Sequence, residues 1–346
     1  MSKEVTLIEE NRKIFIKKAI AVLGLVLIVA IAVVMICLAV DKYKTEKYLE
    51  SYGMTALDVG AYEVDFGLYR CLYLNYRDEL VRDYTENGVT DAAALDSEIR
   101  SRVNEDARYF YAIVSLAVDY GYSVTSPDVI SAADTYIAEM KSYCETNKMD
   151  FKKTLEKGYM NEDIFVFMQR VMALKDVLNV ALVSDGGEIE DNDEKLLAIF
   201  SSDEMIRVQS VFIENDNGED IEENRRIAEE VAAKYKGGTG FDELIKNYSE
   251  DLSNDFYITR GEKIDVYDRA AFSLNEGEIS DVIASEDGYY VILRTKKDEE
   301  YIKDNFETLK SQYQFVRFNE KIEARRNSLS VSESAYVKSL SYEEIE

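Results

Sequence analysis

The sequence predicts an α+β protein in which a mainly helical region and a smaller mixed domain follow one membrane-spanning helix. Three observations lead to this fold class. An uncharged apolar run occupies residues 19–40, apolar residues recur at helical spacing through 43–200, and strand-like and helix-like segments alternate through 204–297. The chain has 346 residues and one proline, so it is long enough for two domains and lacks the composition of a disordered chain.

Composition excludes several classes of function. The formal net charge is −27, and so acidic a chain is a poor candidate for nucleic-acid binding, which requires clustered Lys and Arg. The chain has 0 histidines, which excludes Ser-His-Asp and Cys-His nucleophile systems, the HExxH metal site and imidazole acid–base catalysis. The sequence around Gly218 does not fit a calcium loop, because it would place Ile213 and Asn224 where such a loop needs its first and last carboxylate ligands. We therefore expect neither a cofactor nor a metal ion.

The cysteines leave one question open. Cys71 and Cys144 lie far apart in the acidic body of the chain and form no CxxC motif. They can be small buried apolar residues, or they can form a disulfide if this part of the chain lies outside the cytoplasm. The sequence alone does not place the two sulfur atoms within bonding distance.

Residues 19–40 are predicted to form a retained membrane anchor. As a helix this run is about 33 Å long, which suits a hydrocarbon core of about 30 Å. Four basic residues precede it: Arg12, Lys13, Lys17 and Lys18. By the positive-inside rule, residues 1–18 are a cytoplasmic tail and the bulk of the chain is extracytoplasmic. A cleaved signal peptide usually has a shorter apolar region, and a lipoprotein site at Cys37 would need a smaller residue than Ile36.

Residues 43–200 are predicted to be mainly helical. In "AYEVDFGLYRCLYLNYRDELVRDY" apolar residues recur at helical intervals from Tyr62 to Tyr73, and "ARYFYAIVSLAVDYGYSV" predicts a second helix that ends near Gly121. Aromatic stripes of this kind are usually core.

Local signals mark the next helices. Ser126 before Pro127 indicates a helix start, because proline at the first helical position gives up no hydrogen bond. Gly158 predicts a turn between a short helix and a long one over about 161–182. Near the end of the chain, 301–330 reads as one long amphipathic helix, and the last residues, within 331–346, are expected to be loosely ordered.

The smaller domain, 204–297, reads as strand, three helices and a hairpin. "MIRVQSVFIE" predicts the strand, and "EENRRIAEEVAAKYKGG", "GFDELIKNYSED" and "RAAFSL" predict the helices. "DVIASEDGYYVILRT" predicts two strands joined by a turn. This β-α-α-α-β-β order predicts a compact α+β domain.

Several sequence segments of the chain resemble those of known protein families. "GFDELIKNYSED", "YDRAAFSLNEGEIS" and "GYYVILRT" are similar to parvulin-type peptidyl-prolyl isomerases and stand in that family's order. The preceding helical text, from "YGYSVTSPDVISAADTY" onward, resembles the helical chaperone domain of PrsA/SurA-type extracytoplasmic foldases. The resemblance implies a parvulin-like domain inserted near the end of a helical chaperone domain. That domain would consist of 43–200 plus 301–330, with the C-terminal helix packing back on it.

The resemblance also implies where a parvulin pocket would lie, and there the sequence departs from the family. Ser210 stands at the histidine of the first strand, and Tyr290 stands at the second histidine. Asp251 matches the family's Cys or Asp position. We expect Ser210 and Tyr290 to form hydrogen bonds with each other and with Asp251, which would preserve the fold without histidine.

The substrate-binding positions are altered as well. Lys263 and Tyr267 fall where the family has Met and Phe, and Phe272 is retained. A charge is costly in an apolar proline slot, so the change to Lys263 predicts weakened binding of proline. We interpret the domain as a retained fold with a degenerate pocket.

The resemblance therefore implies a membrane-anchored extracytoplasmic foldase that binds unfolded or newly translocated polypeptides, with impaired isomerase activity. Two alternatives remain: an active peptidyl-prolyl isomerase with an altered pocket, and a non-catalytic membrane scaffold or adaptor. The sequence predicts no oligomeric state.

Overall fold

A computed structural model describes residues 53–86, 91–184, 186–215, 221–251 and 254–345. The predicted tail 1–18 and anchor 19–40 lie outside these ranges. None of the helices within them is long and apolar enough to cross a membrane. The chain divides into two compact units, the first formed by Met1–Leu178 with Ile322–Glu346 and the second by Asn179–Lys321.

The elements follow one another along the chain as helices and strands of both units. In order they are β1 (Thr55–Val59), β2 (Tyr62–Asp65), α1 (Phe66–Glu86), α2 (Ala92–Asp119), α3 (Pro127–Thr146), α4 (Phe151–Lys157), α5 (Glu162–Val183), α6 (Asp193–Ser201), β3 (Met205–Glu214), α7 (Ile221–Lys236), α8 (Phe241–Tyr248), β4 (Asp255–Thr259), α9 (Asp265–Ser273), β5 (Ile283–Ala284), β6 (Gly288–Thr295), α10 (Glu299–Asp304), α11 (Phe306–Ser328), β7 (Val331–Glu333) and α12 (Ala335–Ser339).

The first unit contains a small sheet that the sequence did not predict. Its strands have the order β2-β1-β7. Tyr62 therefore lies in a strand rather than at the start of a helix, and that part of the helical prediction is wrong. Gly60, at φ +59°, allows the tight turn between β1 and β2. The helix begins only after Asp65, whose carboxylate accepts a hydrogen bond from the Leu68 N–H at 3.0 Å and so caps α1.

Other helix signals of the first unit are confirmed. α2 ends at Asp119, just before Gly121 at φ +79°, and α3 begins at Pro127 with Ser126 as its N-cap residue. α4 and α5 flank the turn at Gly158.

Both described cysteines are buried in the first unit. Cys71 and Cys144 are free thiols, so the structure corresponds to the small apolar alternative and not to the disulfide. The Cys71 thiol lies 3.5 Å from the carbonyl oxygen of Gly158 and donates to it, and burial raises its pKa to about 12. It is therefore a protonated, unreactive side chain at neutral pH.

The C-terminal segment is ordered, so the prediction of a loose tail is wrong. Strand β7 pairs antiparallel with β1, with Val331 opposite Val59. Val337 and Ile345 are fully buried. The segment is largely polar, and β7 gains its pairing partner from β1, which is remote in the sequence.

The second unit is built on a four-stranded antiparallel sheet of order β4-β3-β6-β5. α7 and α8 pack on one face, and α9 packs on the other. Strand β4 was not predicted, so the observed order is β-α-α-β-α-β-β. The unit also exceeds the predicted 204–297, because α6, α10 and α11 pack against Met205 and Tyr257 at one end of the sheet.

The predicted helix over 301–330 is two helices. α10 ends at Asp304 and α11 begins at Phe306, with Asn305 between them. The last turns of α11 belong to the first unit, where the Arg325 guanidinium donates to the Ser115 hydroxyl at 2.8 Å.

Candidate functional site

The candidate site lies on the sheet face that α9 covers. In the antiparallel pairing of β3 and β6, Phe212 stands opposite Tyr290 and Ser210 stands opposite Ile292. Because side chains alternate along a strand, all four project to the same face. Tyr289 projects to the other face, where it borders a separate cavity of about 480 Å³ between α7 and residues 281–284.

Three aromatic side chains pack together on this face. The rings of Phe212 and Tyr290 stack at a centroid distance of 4.5 Å, and Tyr267 of α9 meets Tyr290 edge-on at 5.2 Å. Tyr267 is only 3% exposed, whereas Tyr290 is half-buried. Tyr267 therefore forms the floor of the site, and Tyr290 remains accessible from its rim.

The floor of the site carries an unusual polar group, the hydroxyl of Tyr267. The Tyr267 hydroxyl is buried without a hydrogen bond of normal geometry. Burial raises the pKa of Tyr267, and the nearby Ser210 hydroxyl partly offsets that shift. Such an unsatisfied buried hydroxyl lowers the free energy of unfolding by about 1–3 kcal/mol, a loss that phenylalanine at this position would not cause.

The structure brings Ser210, Tyr267 and Tyr290 together, with Tyr267 adjacent to each of the other two. Within the described residues the hydrogen bond expected between Ser210 and Tyr290 is not formed; the Tyr290 ring packs against Phe212 and Tyr267 instead. Asp251 is exposed and lies toward the outer end of the face, because its neighbour Glu250 donates its N–H to the Phe212 carbonyl at 2.9 Å. Burial raises the pKa of both tyrosines, and the charge of Asp251 adds to that shift. The group predicted to contact substrate, Tyr267, is thus the central member of the buried set.

The segment from β4 to α9 carries the other predicted substrate-binding residues. The Lys263 ammonium lies 4.5 Å from the ring centroid of Phe256, and the Arg260 guanidinium lies 4.2 Å from that of Phe272. Both rings are half-buried and belong to the same apolar cluster as Tyr290. Sequence reasoning missed Arg260 and Phe256 because it missed β4; the aromatic and β-branched residues of "DFYIT" were the available signal.

Apolar side chains continue along the same rim. Ile264 is 50% exposed and Val266 is 38% exposed. Large apolar side chains this exposed, next to a partly open aromatic cluster, are suited to contact with an apolar segment of another chain.

The turn before α9 is held firmly by α11. Gln312 donates to the Glu262 carboxylate at 2.6 Å and to the Tyr257 carbonyl at 2.8 Å, and Arg317 donates to the Arg260 carbonyl. Gly261, at φ +85°, suits this turn, because a residue with a Cβ would be strained in this left-handed backbone conformation. The positions of Arg260 and Lys263 are therefore fixed by their backbone.

Glu262 gives this turn a dependence on pH. Burial raises the pKa of Glu262 above its ordinary value of 4.5, although bonds from Gln312 and the Thr259 N–H and the charge of Lys263 oppose the shift, which Asp268 reinforces. A carboxyl whose pKa is higher in the folded state contributes stability at low pH. That contribution is lost as the pH rises through the folded-state pKa.

We expect Glu262→Gln, which mimics the neutral acid, to unfold at a higher temperature than the unaltered protein near pH 7. The difference should shrink as the pH falls toward 4.5, the ordinary pKa of the group. Thermal unfolding from pH 4 to pH 8 measures it. Glu278→Gln is the matched control, because a bond from the Asn275 N–H lowers the pKa of exposed Glu278 and reverses the sign. The same pH profile in both variants would contradict the assignment.

Residues 194–298 match the family model of the PPIC-type PPIASE domain. This part of the chain is a parvulin-like domain.

The relatives extend the likeness beyond that domain. Foldase protein PrsA of Bacillus subtilis (strain 168) is 25% identical over 209 residues, which cover 59% of this chain and 63% of that protein. Foldase protein PrsA of Oceanobacillus iheyensis is 25% identical over 249 residues, covering 69% of this chain and 75% of that protein. The chain is thus similar to PrsA-type foldases and carries a parvulin-like domain, while its match to the first of these relatives spans under two thirds of that relative's length.

Among solved structures, that of the peptidylprolyl isomerase PrsA from Bacillus anthracis is 18% identical, with a TM-score of 0.36. It covers 63% of this chain and 94% of that one. PrsA from Streptococcus pneumoniae is 23% identical with a TM-score of 0.34, covering 65% and 83%.

Proposed function

We propose that this protein is a membrane-anchored extracytoplasmic foldase that binds unfolded or newly secreted polypeptides. The observation that carries the proposal is the PPIC-type domain at 194–298 within a chain similar to PrsA foldases. Exposed Ile264 and Val266 beside the aromatic cluster support a surface that contacts apolar client segments.

The proposed location follows from the sequence. An anchor at 19–40 with a basic N-terminal flank would place the two units outside the cytoplasm. Protease added to intact cells should then digest the chain beyond the anchor, while a tag on residues 1–18 stays protected. Full protection of the chain would refute this orientation.

The parvulin-like domain is proposed to be catalytically impaired. An isomerase must lower an amide rotation barrier of about 18–20 kcal/mol by favouring the twisted amide over the planar one. Here Ser210 and Tyr290 stand at the positions of the family's two histidines, and the cationic Lys263 stands at the rim of the apolar pocket. These substitutions replace the family's histidines behind the pocket with hydroxyl groups that do not titrate near neutral pH.

An active isomerase with an altered pocket is the second candidate. The buried hydroxyl of Tyr267, adjacent to Ser210 and Tyr290, favours it, because this polar set occupies the place of the histidine network. If the set works catalytically, Tyr267→Phe should abolish isomerisation while the variant stays folded.

Two assays on the full chain in detergent separate these functions. The first follows the isomerisation of one X-Pro bond in a peptide. Without a catalyst this isomerisation takes tens of seconds. The second follows aggregation of a reduced, unfolded client protein. We expect suppression of aggregation without catalysis above the spontaneous rate. Catalysis would establish the isomerase, and failure of both assays would leave a scaffold or adaptor role.

A further inference from the structure

We propose that Arg260 and Lys263 make this site select client segments with an acidic residue next to the bound proline or apolar residue. The inference rests on the proposed polypeptide-binding function and assigns its preferred substrate class. Its starting point is the pair of cations at the rim of an aromatic site in a chain of net charge −27.

Both cations are available to a ligand. Neither forms an ion pair with a carboxylate of the described residues, although acidic side chains greatly outnumber basic ones. Each cation lies over an aromatic ring instead, and contact with a ring face keeps it oriented while leaving its outer side free. A client carboxylate could therefore approach either group without displacing an existing partner.

Four carboxylates lie near the turn, and each has another partner. Asp265 pairs with Arg269 at 3.0 Å, and Glu320 pairs with Arg317 at 3.1 Å. Glu262 accepts from Gln312 at 2.6 Å and from the Thr259 N–H at 3.0 Å, and Asp268 accepts from the Gly261 N–H at 3.1 Å. Burial raises the pKa of Glu262 and of Asp268, and the nearby charges of Lys263 and Arg260 only oppose those shifts through space.

The site is also polarised across its length. Arg260 follows β4 at the end where Thr259 pairs with Met205. Asp287 precedes Gly288, which pairs with Glu214 at the opposite end of β3.

Asp251 lies near that second end as well. Burial raises the pKa of Tyr290, and the charges of Asp287 and Asp251 add to that shift. A bound segment would therefore meet two cations without carboxylate partners among the described residues at one end of the aromatic face and the carboxylates of Asp287 and Asp251 toward the other. This arrangement attracts an acidic residue to the β4 side and repels one from the far side.

The geometry is preorganised. The backbone of Arg260 is fixed by Arg317, and Gly261 sets the turn between the two cations. Because the turn is already ordered, binding a ligand carboxylate carries no cost for ordering it. The attraction between that carboxylate and the two cations is therefore available for selection.

The experiment compares labelled peptides that differ only beside one proline: Glu, Ala or Lys, placed either before or after it. Their binding to the full chain in detergent is followed by fluorescence anisotropy. We expect the Glu peptide, in at least one placement, to bind about 3–10-fold more tightly than the Lys peptide. The preference should largely disappear in 1 M NaCl, where the screening length is about 3 Å.

Charge variants test the assignment to these residues. Arg260→Glu with Lys263→Glu should reverse the preference, and the Met pair, R260M with K263M, should abolish it. The control is Arg225→Glu with Lys246→Glu, which changes the net charge equally but lies on α7 and α8, helices that pack on the other face of the sheet. We expect the control to keep the preference.

The outcomes separate this inference from the proposed function. Equal binding of the Glu, Ala and Lys peptides would overturn the selectivity and leave polypeptide binding intact. Loss of the preference in the control as well would assign it to net charge and also overturn the inference. Failure of every peptide to bind, together with failure to suppress client aggregation, would overturn the proposed function itself.

Discussion

Replacing Gly288 by alanine is expected to destabilise the second unit by about 3 kcal/mol or more, because the new Cβ has no space. Gly288 begins β6 at φ +154°, and a Cβ there would lie 2.1 Å from the Ile213 carbonyl oxygen and 2.8 Å from the Phe212 ring. The first contact is with backbone in the central strand pair, so it cannot be relieved by a side-chain rotation. The second would push Phe212 away from Tyr290.

Gly277→Ala is the matched control for this prediction. Gly277 also has a positive φ, +82°, but a Cβ there meets no atom within 4 Å. Its replacement should cost only the left-handed backbone penalty of about 1–2 kcal/mol. Thermal unfolding by calorimetry, with hydrogen exchange of the β3 and β6 amides, measures both variants. Equal stability of the two would show that the sheet can shift to accept a Cβ at Gly288.

Elements with local signals could be predicted from the sequence. The start of α3 at Pro127 and the turn at Gly158 depend on residues within one helical turn, and both are observed. The central strand β3 was also predicted, because it is rich in β-branched and aromatic residues, and its apolar residues are buried on both faces of the sheet.

Elements defined by remote partners were missed. β4 and β7 are 5 and 3 residues long, and each becomes a strand only by pairing, β4 with β3 and β7 with β1. A short half-polar segment carries little periodicity of its own, so such pairing is hard to recognise without knowing the neighbouring strand.

The candidate site shows the same division. Alignment with the parvulin words located Ser210, Tyr267 and Tyr290, and the structure places all three on one face of the sheet. What the sequence did not reveal is the charge at the rim, since Arg260 reaches Phe272 only because β4 turns back at Gly261.

Arg100→Met is expected to destabilise the first unit by about 2–4 kcal/mol and to release the C-terminal segment. Arg100 lies on α2 with a side chain that is 15% exposed, and it pairs with Asp96 at 2.8 Å and with Glu333 at 3.4 Å. Its guanidinium also donates to the Leu340 carbonyl at 2.9 Å. Methionine would keep much of the volume but leave these acceptors partly buried without their donor.

Arg102→Met is the matched control on the same helix. Arg102 is 38% exposed and pairs with Glu98 at 2.9 Å, so solvent screens the pair and its loss should cost about 0–1 kcal/mol. Hydrogen exchange at the Ser334 amide, which donates to the Ala56 carbonyl at 2.8 Å, reports whether β7 stays on the sheet. We expect exchange there to accelerate in Arg100→Met and to stay unchanged in Arg102→Met. Unchanged exchange in both would mean that strand pairing and the burial of Val337 hold the segment without Arg100, because these contacts survive the substitution.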